Sequence, residues 1–134
     1  MAKKRGSPPS RSKADPEPAS VPKSGHPLLC LRHCRSGWGV EELRPEQCQQ
    51  FLIKWNKRAK LTWDELVQHD RHGLGSEFIP AAKIKPSPPP DSIKRDRYLV
   101  LRHDGNLPFV GFRTGDVFHV LWIEKKYNEL YDHS

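Results

Sequence analysis

Histidines, arginines and one late tyrosine recur in the second half of the chain, and these residue types can bind and cleave a phosphodiester. Cleavage of RNA without a metal needs a general base for the 2′-hydroxyl, a general acid for the leaving oxygen and cations that stabilise the anionic transition state. Histidine and tyrosine suit the acid–base steps, and arginine binds phosphate. The candidate acid–base residues are His72, His119, Tyr131 and His133, and the candidate phosphate-binding residues are Arg71, Arg97, Arg102 and Arg113.

The same residues have a plainer structural interpretation, which the sequence leaves open. The arginines could form a solvated edge of a sheet, and His119 could be a hydrogen-bonded core histidine. His72 follows His69 by three positions, where the dipole of a helix C-terminus favours a cation. Strand alternation also places Arg102 and His103 on opposite faces, so both cannot serve one site on the sheet.

Three apolar runs near the C-terminus predict an antiparallel meander. Two turn sequences, Asp104-Gly105-Asn106 and Thr114-Gly115-Asp116, separate them. The runs are Tyr98–Leu101, Leu107–Phe112 and Val117–Ile123. The third is apolar almost throughout, as a strand buried on both faces would be. We therefore expect it to lie centrally in the sheet.

A helix is predicted from Pro45 to Lys60. Proline suits the first helical position, and one apolar stripe follows at steps of three and four. The stripe consists of Cys48, Phe51, Leu52, Trp55 and Ala59, and the basic residues mostly off it are Lys54, Lys57, Arg58 and Lys60. The basic face is either an RNA-facing surface or a solvated one.

A second, shorter helix is predicted to begin at Thr62, which forms a capping box with Glu65. Gly73 and Gly75 provide its stop. Two helices joined by a tight turn predict a helical hairpin whose apolar faces pack on the sheet. The proline-rich stretch 78–94 is expected to be an extended crossover to the first strand of the meander.

Composition divides the chain into a tail and one domain. Residues 1–27 are rich in proline, serine and lysine, which predicts a disordered basic tail before a single α+β domain at 28–134. The net charge is +7, of which residues 1–25 contribute +4. An interaction of the folded part with nucleic acid must therefore depend on where its arginines lie.

Other classes of protein are less compatible with the sequence. No apolar run is long enough for a membrane helix, and three cysteines without a signal peptide predict a reducing cytoplasm. Cys30, His33 and Cys34 supply only one irregular half of a structural zinc site, so no metal is expected. The chain also lacks nucleotide-binding and metalloprotease motifs, and we expect no cofactor.

Three stretches carry a resemblance to known proteins: Leu61–Glu77, Asn106–Glu124 and Leu130–His133. They resemble a group of small bacterial proteins whose helical hairpin and antiparallel sheet are similar to the RelE-like toxin superfamily. That resemblance covers about residues 28–134. It implies a messenger-RNA endoribonuclease, ribosome-dependent or free, that an antitoxin neutralises, with Arg, Lys, Tyr or His on the sheet and near the C-terminus as site residues.

The sequence thus yields two hypotheses of different classes. The first is a toxin-like, metal-independent endoribonuclease with RNA, an antitoxin and the ribosome as partners. The second is a non-catalytic module that binds nucleic acid or protein with the same basic sheet. A component of a larger phage or plasmid assembly is a third possibility. An enzyme would lose activity at a single histidine, whereas a binding module would lose affinity gradually as arginines are removed.

Overall fold

The computed structural model describes residues 25–71 and 73–133, which form an α+β fold. The strands are β1 (Leu28–Cys30), β2 (Glu77–Pro80), β3 (Arg97–Asp104), β4 (Leu107–Thr114) and β5 (Val117–Ile123); the helices are α1 (Pro45–Ala59) and α2 (Trp63–Val67). Two single 3₁₀ turns, at Val40–Glu42 and Ala81–Lys83, complete the regular elements in these residues.

The five strands form one sheet in the order β1-β5-β4-β3-β2. The predicted meander β3-β4-β5 is confirmed, and both neighbouring pairs are antiparallel. The expectation of a purely antiparallel sheet is wrong, because β1 pairs parallel with β5. As a result β5 lies inside the sheet, as expected, but β4 is the middle strand. Sequence reasoning also missed β2, which includes the first residues of the stretch predicted to be a crossover and forms the other edge of the sheet.

Both faces of the sheet are buried. On one face α1 and α2 contribute Phe51, Trp55, Trp63 and Leu66 to a core with alternate residues of β3, β4 and β5. Loops and the C-terminal segment cover the opposite face, where Leu130 and Tyr131 join Tyr98, Val100, Leu121 and Trp122. We call these the helix face and the loop face. The proline-rich stretch connects the adjacent strands β2 and β3 and contributes Ile84 and Ile93 to the loop face.

A bulge sets the pattern of side chains on β5. Val110 pairs with Trp122 whereas the next residue, Gly111, pairs with Val120, so Leu121 is the extra residue. Leu121 and Trp122 consequently both reach the core of the loop face. Gly111 makes this close approach possible, because a Cβ at that position would overlap the backbone carbonyl oxygen of His119.

The predicted first helix is confirmed as α1, with Pro45 at its start. Two expectations about its faces are wrong. Leu52 is 64% exposed, and Arg58, predicted to lie off the buried stripe, is fully buried. Arg58 is tolerated there because its guanidinium donates to the backbone carbonyls of Leu74 (2.8 Å) and Arg102 (2.7 Å).

The second helix is shorter than the glycine positions indicated. Its capping box is confirmed, since Thr62 and Glu65 bond each other's backbone N–H groups. However, α2 ends at Val67, and no described residue between it and β2 is helical.

The start of the described chain is fixed to the fold by backbone contacts. Gly25 N donates to Asp116 Oδ1 at 3.1 Å, and Trp63 N donates to Gly25 O at 3.0 Å. Residues 25–27 of the predicted tail therefore contact the domain, while the rest of that tail lies outside the described residues. Within the described ranges, no helix combines the length and the apolar character that crossing a bilayer requires.

Substitution Gly111→Ala should destabilise the fold by about 3 kcal/mol, because the new methyl group would be forced against backbone in the middle of a sheet. Urea denaturation of the variant and wild type measures the difference. Gly73→Ala is the control, since its Cβ would lie 3.6 Å from the nearest atom outside its neighbours, the carbonyl oxygen of Asp70. Equal stability of the two variants would contradict the bulge geometry.

Candidate functional site

Four of the predicted site residues meet in one cleft of about 320 Å³. It lies where the end of β3 approaches the C-terminal segment. The predicted residues that line it are Arg71, Arg102, Tyr131 and His133, and the remaining lining residues are Glu77, Asn106, Tyr127 and Asp132. We call it the C-terminal cleft.

Glu124 positions the C-terminal segment around this cleft. It follows β5 directly, and its side chain is fully buried. One carboxylate oxygen accepts from Leu130 N (2.8 Å), and the other is 2.9 Å from His133 Nε2. Asn128, with φ of 68°, reverses the chain, and its side-chain oxygen accepts from His133 N. A single carboxylate thus fixes both the loop and the histidine.

The imidazole of His133 is enclosed by two tyrosines. Its ring lies 4.1 Å from that of Tyr127 and 4.3 Å from that of Tyr131, at interplanar angles of 30° and 14°. Because both rings are nearly parallel to the imidazole at stacking distance, they cover its two faces. Only 5% of the His133 side chain is exposed. Its orientation is therefore set by packing as well as by Glu124.

Burial shifts the protonation of all three groups towards their neutral forms. It raises the pKa of Glu124 to about 7 and the pKa of Tyr131 to about 12. It also lowers the pKa of His133, in which the nearby Arg102 guanidinium assists. At neutral pH the cleft therefore holds a neutral imidazole and a protonated phenol, the forms of a general base and a general acid.

Arg102 is the buried cation of the cleft. It is 5% exposed, and its Nη2 lies 2.5 Å from Glu77 Oε2. The other oxygen of Glu77 bonds Arg71 Nη1 at 3.1 Å. Within the described residues, Nε and Nη1 of Arg102 are buried and have no hydrogen-bond partner. Unsatisfied buried donors cost stability, and an anion would gain these two hydrogen bonds after a side-chain movement that exposes Nε and Nη1.

The predicted separation of Arg102 from His103 is confirmed. The His103 ring lies in the helix-face core, with its centroid 6.1 Å from that of Phe51 and 6.3 Å from that of Phe109. Its Nε2 donates to the backbone carbonyl of Glu124 at 2.7 Å. Burial lowers the pKa of His103 to about 4, so this histidine is a neutral structural link between β3 and the end of β5.

The other predicted residues lie away from this cleft. Arg97 and Arg113 line a second groove, of about 520 Å³, on the helix-face side of the sheet. His119 pairs with Phe112, whereas Arg102 pairs with Pro108, so His119 lies about 13 Å further along the sheet. Its Nε2 is 2.7 Å from Thr114 Oγ1, and its ring stacks on Phe112. His72 lies outside the described residues.

Cys30, His33 and Cys34 do not assemble a metal site. Among the described residues, no three His, Cys, Asp or Glu side chains come together as ligands. The His33 ring instead lies near the rings of His119 and Phe112, and burial raises the pKa of Cys34 to about 11.

Sequence reasoning missed Glu77 and Tyr127, which line the C-terminal cleft, and Glu124, which positions His133 there. Glu124 could have been recognised from the sequence, because a carboxylate directly after an almost entirely apolar strand lies at the edge of the core. Tyr127 lies four positions before Tyr131, within the same short segment. Glu77 had no signal of its own, because β2 was not predicted.

The raised pKa of Glu124 predicts how the free energy of unfolding changes with pH. Since folding raises this pKa from 4.5 to about 7, the folded state favours the protonated form. Glu124 should therefore reduce the free energy of unfolding progressively as pH rises from 4.5 to 7, by at most about 3 kcal/mol. The lowered pKa of His133 acts in the opposite direction, towards lower stability in acid.

Glu124→Gln keeps an acceptor for Leu130 N and removes the titration. Relative to wild type, the variant should gain stability as pH rises through this window, measured by urea denaturation at several pH values. Glu46→Gln, at an exposed position of α1, is the control and should follow the wild-type pH dependence. A constant difference between Glu124→Gln and wild type would show that Glu124 titrates normally.

No family model, no curated protein and no solved structure matches this chain. What the C-terminal cleft can do is therefore inferred from its own geometry and chemistry.

Proposed function

We propose that this protein is a metal-independent endoribonuclease and that the C-terminal cleft is its active site. One observation carries the proposal. A nearly buried arginine with two unsatisfied donors, Arg102, lines the same small cleft as a histidine held by a buried carboxylate, His133 with Glu124. An anion-binding cation beside an oriented acid–base group is the minimum that phosphodiester cleavage requires.

The protonation states assign the roles. His133, whose pKa is lowered, would remove the proton from the 2′-hydroxyl as that oxygen attacks phosphorus. Tyr131, whose pKa is raised to about 12, would donate its proton to the departing 5′-oxygen. The bond from phosphorus to that oxygen breaks, leaving a 2′,3′-cyclic phosphate and a 5′-hydroxyl. Proton return from His133 to Tyr131 through solvent restores both groups.

Arginines would hold the phosphate during this step. Arg102 would supply Nε and Nη1 after a side-chain movement that exposes these buried atoms, and Arg71 lies on the other side of Glu77. The cleft is not strongly positive, because Glu77 compensates part of this charge and Asp132 pairs with Lys85. Binding would accordingly depend on direct hydrogen bonds to one phosphate, whose strength comes from the low exposure of Arg102.

The wider function in this proposal is that of a toxin. This part of the proposal depends on the resemblance of three stretches of the sequence to a bacterial protein group whose helical hairpin and sheet are similar to those of RelE-like toxins. It takes messenger RNA as the substrate, the helical hairpin packed on the sheet as the common arrangement, and an antitoxin and the ribosome as partners in the cytoplasm. A non-catalytic binding module remains the competing function, since it would use the same arginines without needing His133.

Purified wild-type protein should cleave single-stranded RNA in EDTA and produce 2′,3′-cyclic phosphate ends, detected by gel analysis with and without terminal phosphatase treatment. His133→Gln should reduce the rate at least about 100-fold, the usual contribution of one acid–base group. His119→Gln is the matched comparison, because this histidine lies outside the cleft and its loss should leave the rate within about threefold of wild type, since it leaves that acid–base group intact.

The pH profile separates catalysis from folding. In wild type the rate should fall as pH decreases below the range in which His133 is deprotonated, and this acidic limb should be absent from the residual activity of folded His133→Gln. Loss of activity in His119→Gln, with wild-type activity in His133→Gln, would show that the active site is not the C-terminal cleft. RNA left intact by wild-type protein that is folded and free of bound protein would favour the binding module.

A further inference from the structure

The larger groove presents three arginines, each stacked on an aromatic ring. The guanidinium carbon of Arg97 lies 3.9 Å from the ring centroid of Phe78, that of Arg95 lies 4.2 Å from Phe112, and that of Arg113 lies 4.4 Å from Trp63. All six residues line one space of about 520 Å³ between α2, β2 and the adjacent ends of β3 and β4. The Phe112 side chain itself belongs to the loop-face core, so the cations on the helix-face side are Arg97 and Arg113. We call it the arginine groove.

Stacking fixes the orientation of these guanidinium groups. A guanidinium that lies flat on a ring keeps one planar face and its N–H edges available to a ligand. Arg97 and Arg113 are exposed, and Arg113 is further held because its Nε donates to Gly115 O at 2.6 Å. The groove therefore offers preorganised planar cations, at a lower entropic cost than flexible lysines would incur.

The chemistry of the groove fits a polyanion that also carries planar groups. Its one acidic side chain is Asp96, against three arginines, so the lining is net positive. Exposed apolar surface from Phe78 (55%) and Val67 (60%) adjoins the cations. Unstacked nucleobases pack on arginine planes and aromatic rings, while phosphates accept from the N–H edges. Duplex bases are already stacked within the helix and cannot use these surfaces.

We propose that the arginine groove binds a single-stranded RNA segment through base stacking on Arg97 and Arg113 and through their hydrogen bonds to phosphate. This inference goes beyond the proposed cleavage and does not depend on it. The two sites are nevertheless connected, because consecutive residues of the edge strand β2 serve both. Glu77 bonds Arg102 in the C-terminal cleft, and Phe78 supports Arg97 in the groove.

The positions of the two sites also set the length of RNA that could reach both. Arg97 and Arg102 are five residues apart on β3, which separates them by roughly 17 Å along the strand. A strand of a few nucleotides that passes around the β2 edge could occupy both sites.

The test uses full-length protein and a fluorescent 2′-O-methyl RNA of about 12 nucleotides, a length within the usual range for a single-strand site. This probe cannot be cleaved by 2′-hydroxyl attack. Fluorescence anisotropy should show tighter binding of the single strand than of its duplex. Arg97→Gln/Arg113→Gln should weaken binding at least about tenfold and reduce the salt slope, the change in log K with log salt, by about 1.4.

Two comparison proteins make the result specific. Arg97→Lys/Arg113→Lys keeps the charge but not the planar face, so it should retain the salt slope and still lose affinity several-fold. Arg32→Gln/Lys57→Gln removes two exposed charges, one after β1 at the opposite edge of the sheet and one on α1, and should bind as wild type does. The first 24 residues are identical in all four proteins, so their contribution cancels.

The outcomes distinguish the groove from the cleft. Tight binding by wild type and by His133→Gln, with affinity lost in both Arg97/Arg113 double variants and kept in the Arg32→Gln/Lys57→Gln protein, would support the groove even if no RNA is ever cleaved. Equal weakening in the Arg32→Gln/Lys57→Gln protein, equal affinity for duplex, or wild-type affinity in the Lys double variant would overturn the proposal. Absence of binding by wild type at low salt would also overturn it. The cleavage assay tests the C-terminal cleft independently of this result.

Discussion

The buried guanidinium of Arg58 is the interaction on which the arrangement of both sites depends. It is fully buried, and it donates to Leu74 O and Arg102 O while its carbon lies 5.4 Å from the centre of the Phe109 ring. Burial lowers its pKa to about 10, so it remains charged at neutral pH. Carbonyl oxygens that accept from Nε and Nη2, together with a ring face, compensate part of the loss of water, while Nη1 is buried without a hydrogen-bond partner among the described residues. One side chain of α1 therefore joins the turn before β2 to the strand that carries Arg102.

Strand parity then distributes the chemistry between the two faces. On β3, Leu99 and Leu101 lie in the helix-face core, and Arg97 lines the groove on that side. Tyr98 and Val100 lie in the loop-face core, and Arg102 lines the cleft on that side. The sheet can separate two polar sites in this way because both of its faces are covered. The loop face is completed by the C-terminal segment, whose placement depends on the buried Glu124.

Local patterns were sufficient for the elements that rely on local chemistry. Apolar periodicity and Pro45 predicted α1, and the predicted capping box at Thr62 is present. The two glycine turns connect the three strands of the meander, as predicted. Alternation along β3 also predicted that Arg102 and His103 diverge. Pairings between distant segments have no corresponding pattern in the local sequence. The parallel contact of β1 with β5 and the edge position of β2 depend on the packing of the whole sheet.

The errors about single residues have the same origin. Arg58 was assigned to an exposed basic face, either RNA-facing or solvated. Periodicity alone cannot reveal the carbonyls 16 and 44 residues away that accept its hydrogen bonds. The candidate site was predicted by residue type and region. Folding then brings Arg71, Arg102, Tyr131 and His133 together, and places Arg97, Arg113 and His119 apart from them. Only the three-dimensional structure distinguishes these two sets.

The anchoring of Gly25 has a consequence for whatever occupies the arginine groove. Gly25 accepts from the backbone of Trp63, the residue whose ring supports Arg113, so the preceding 24 residues are covalently attached at the margin of the groove. Six Lys or Arg and two Asp or Glu fall within those residues. A ligand in the arginine groove would therefore lie near the point at which a segment with a net charge of +4 joins the fold.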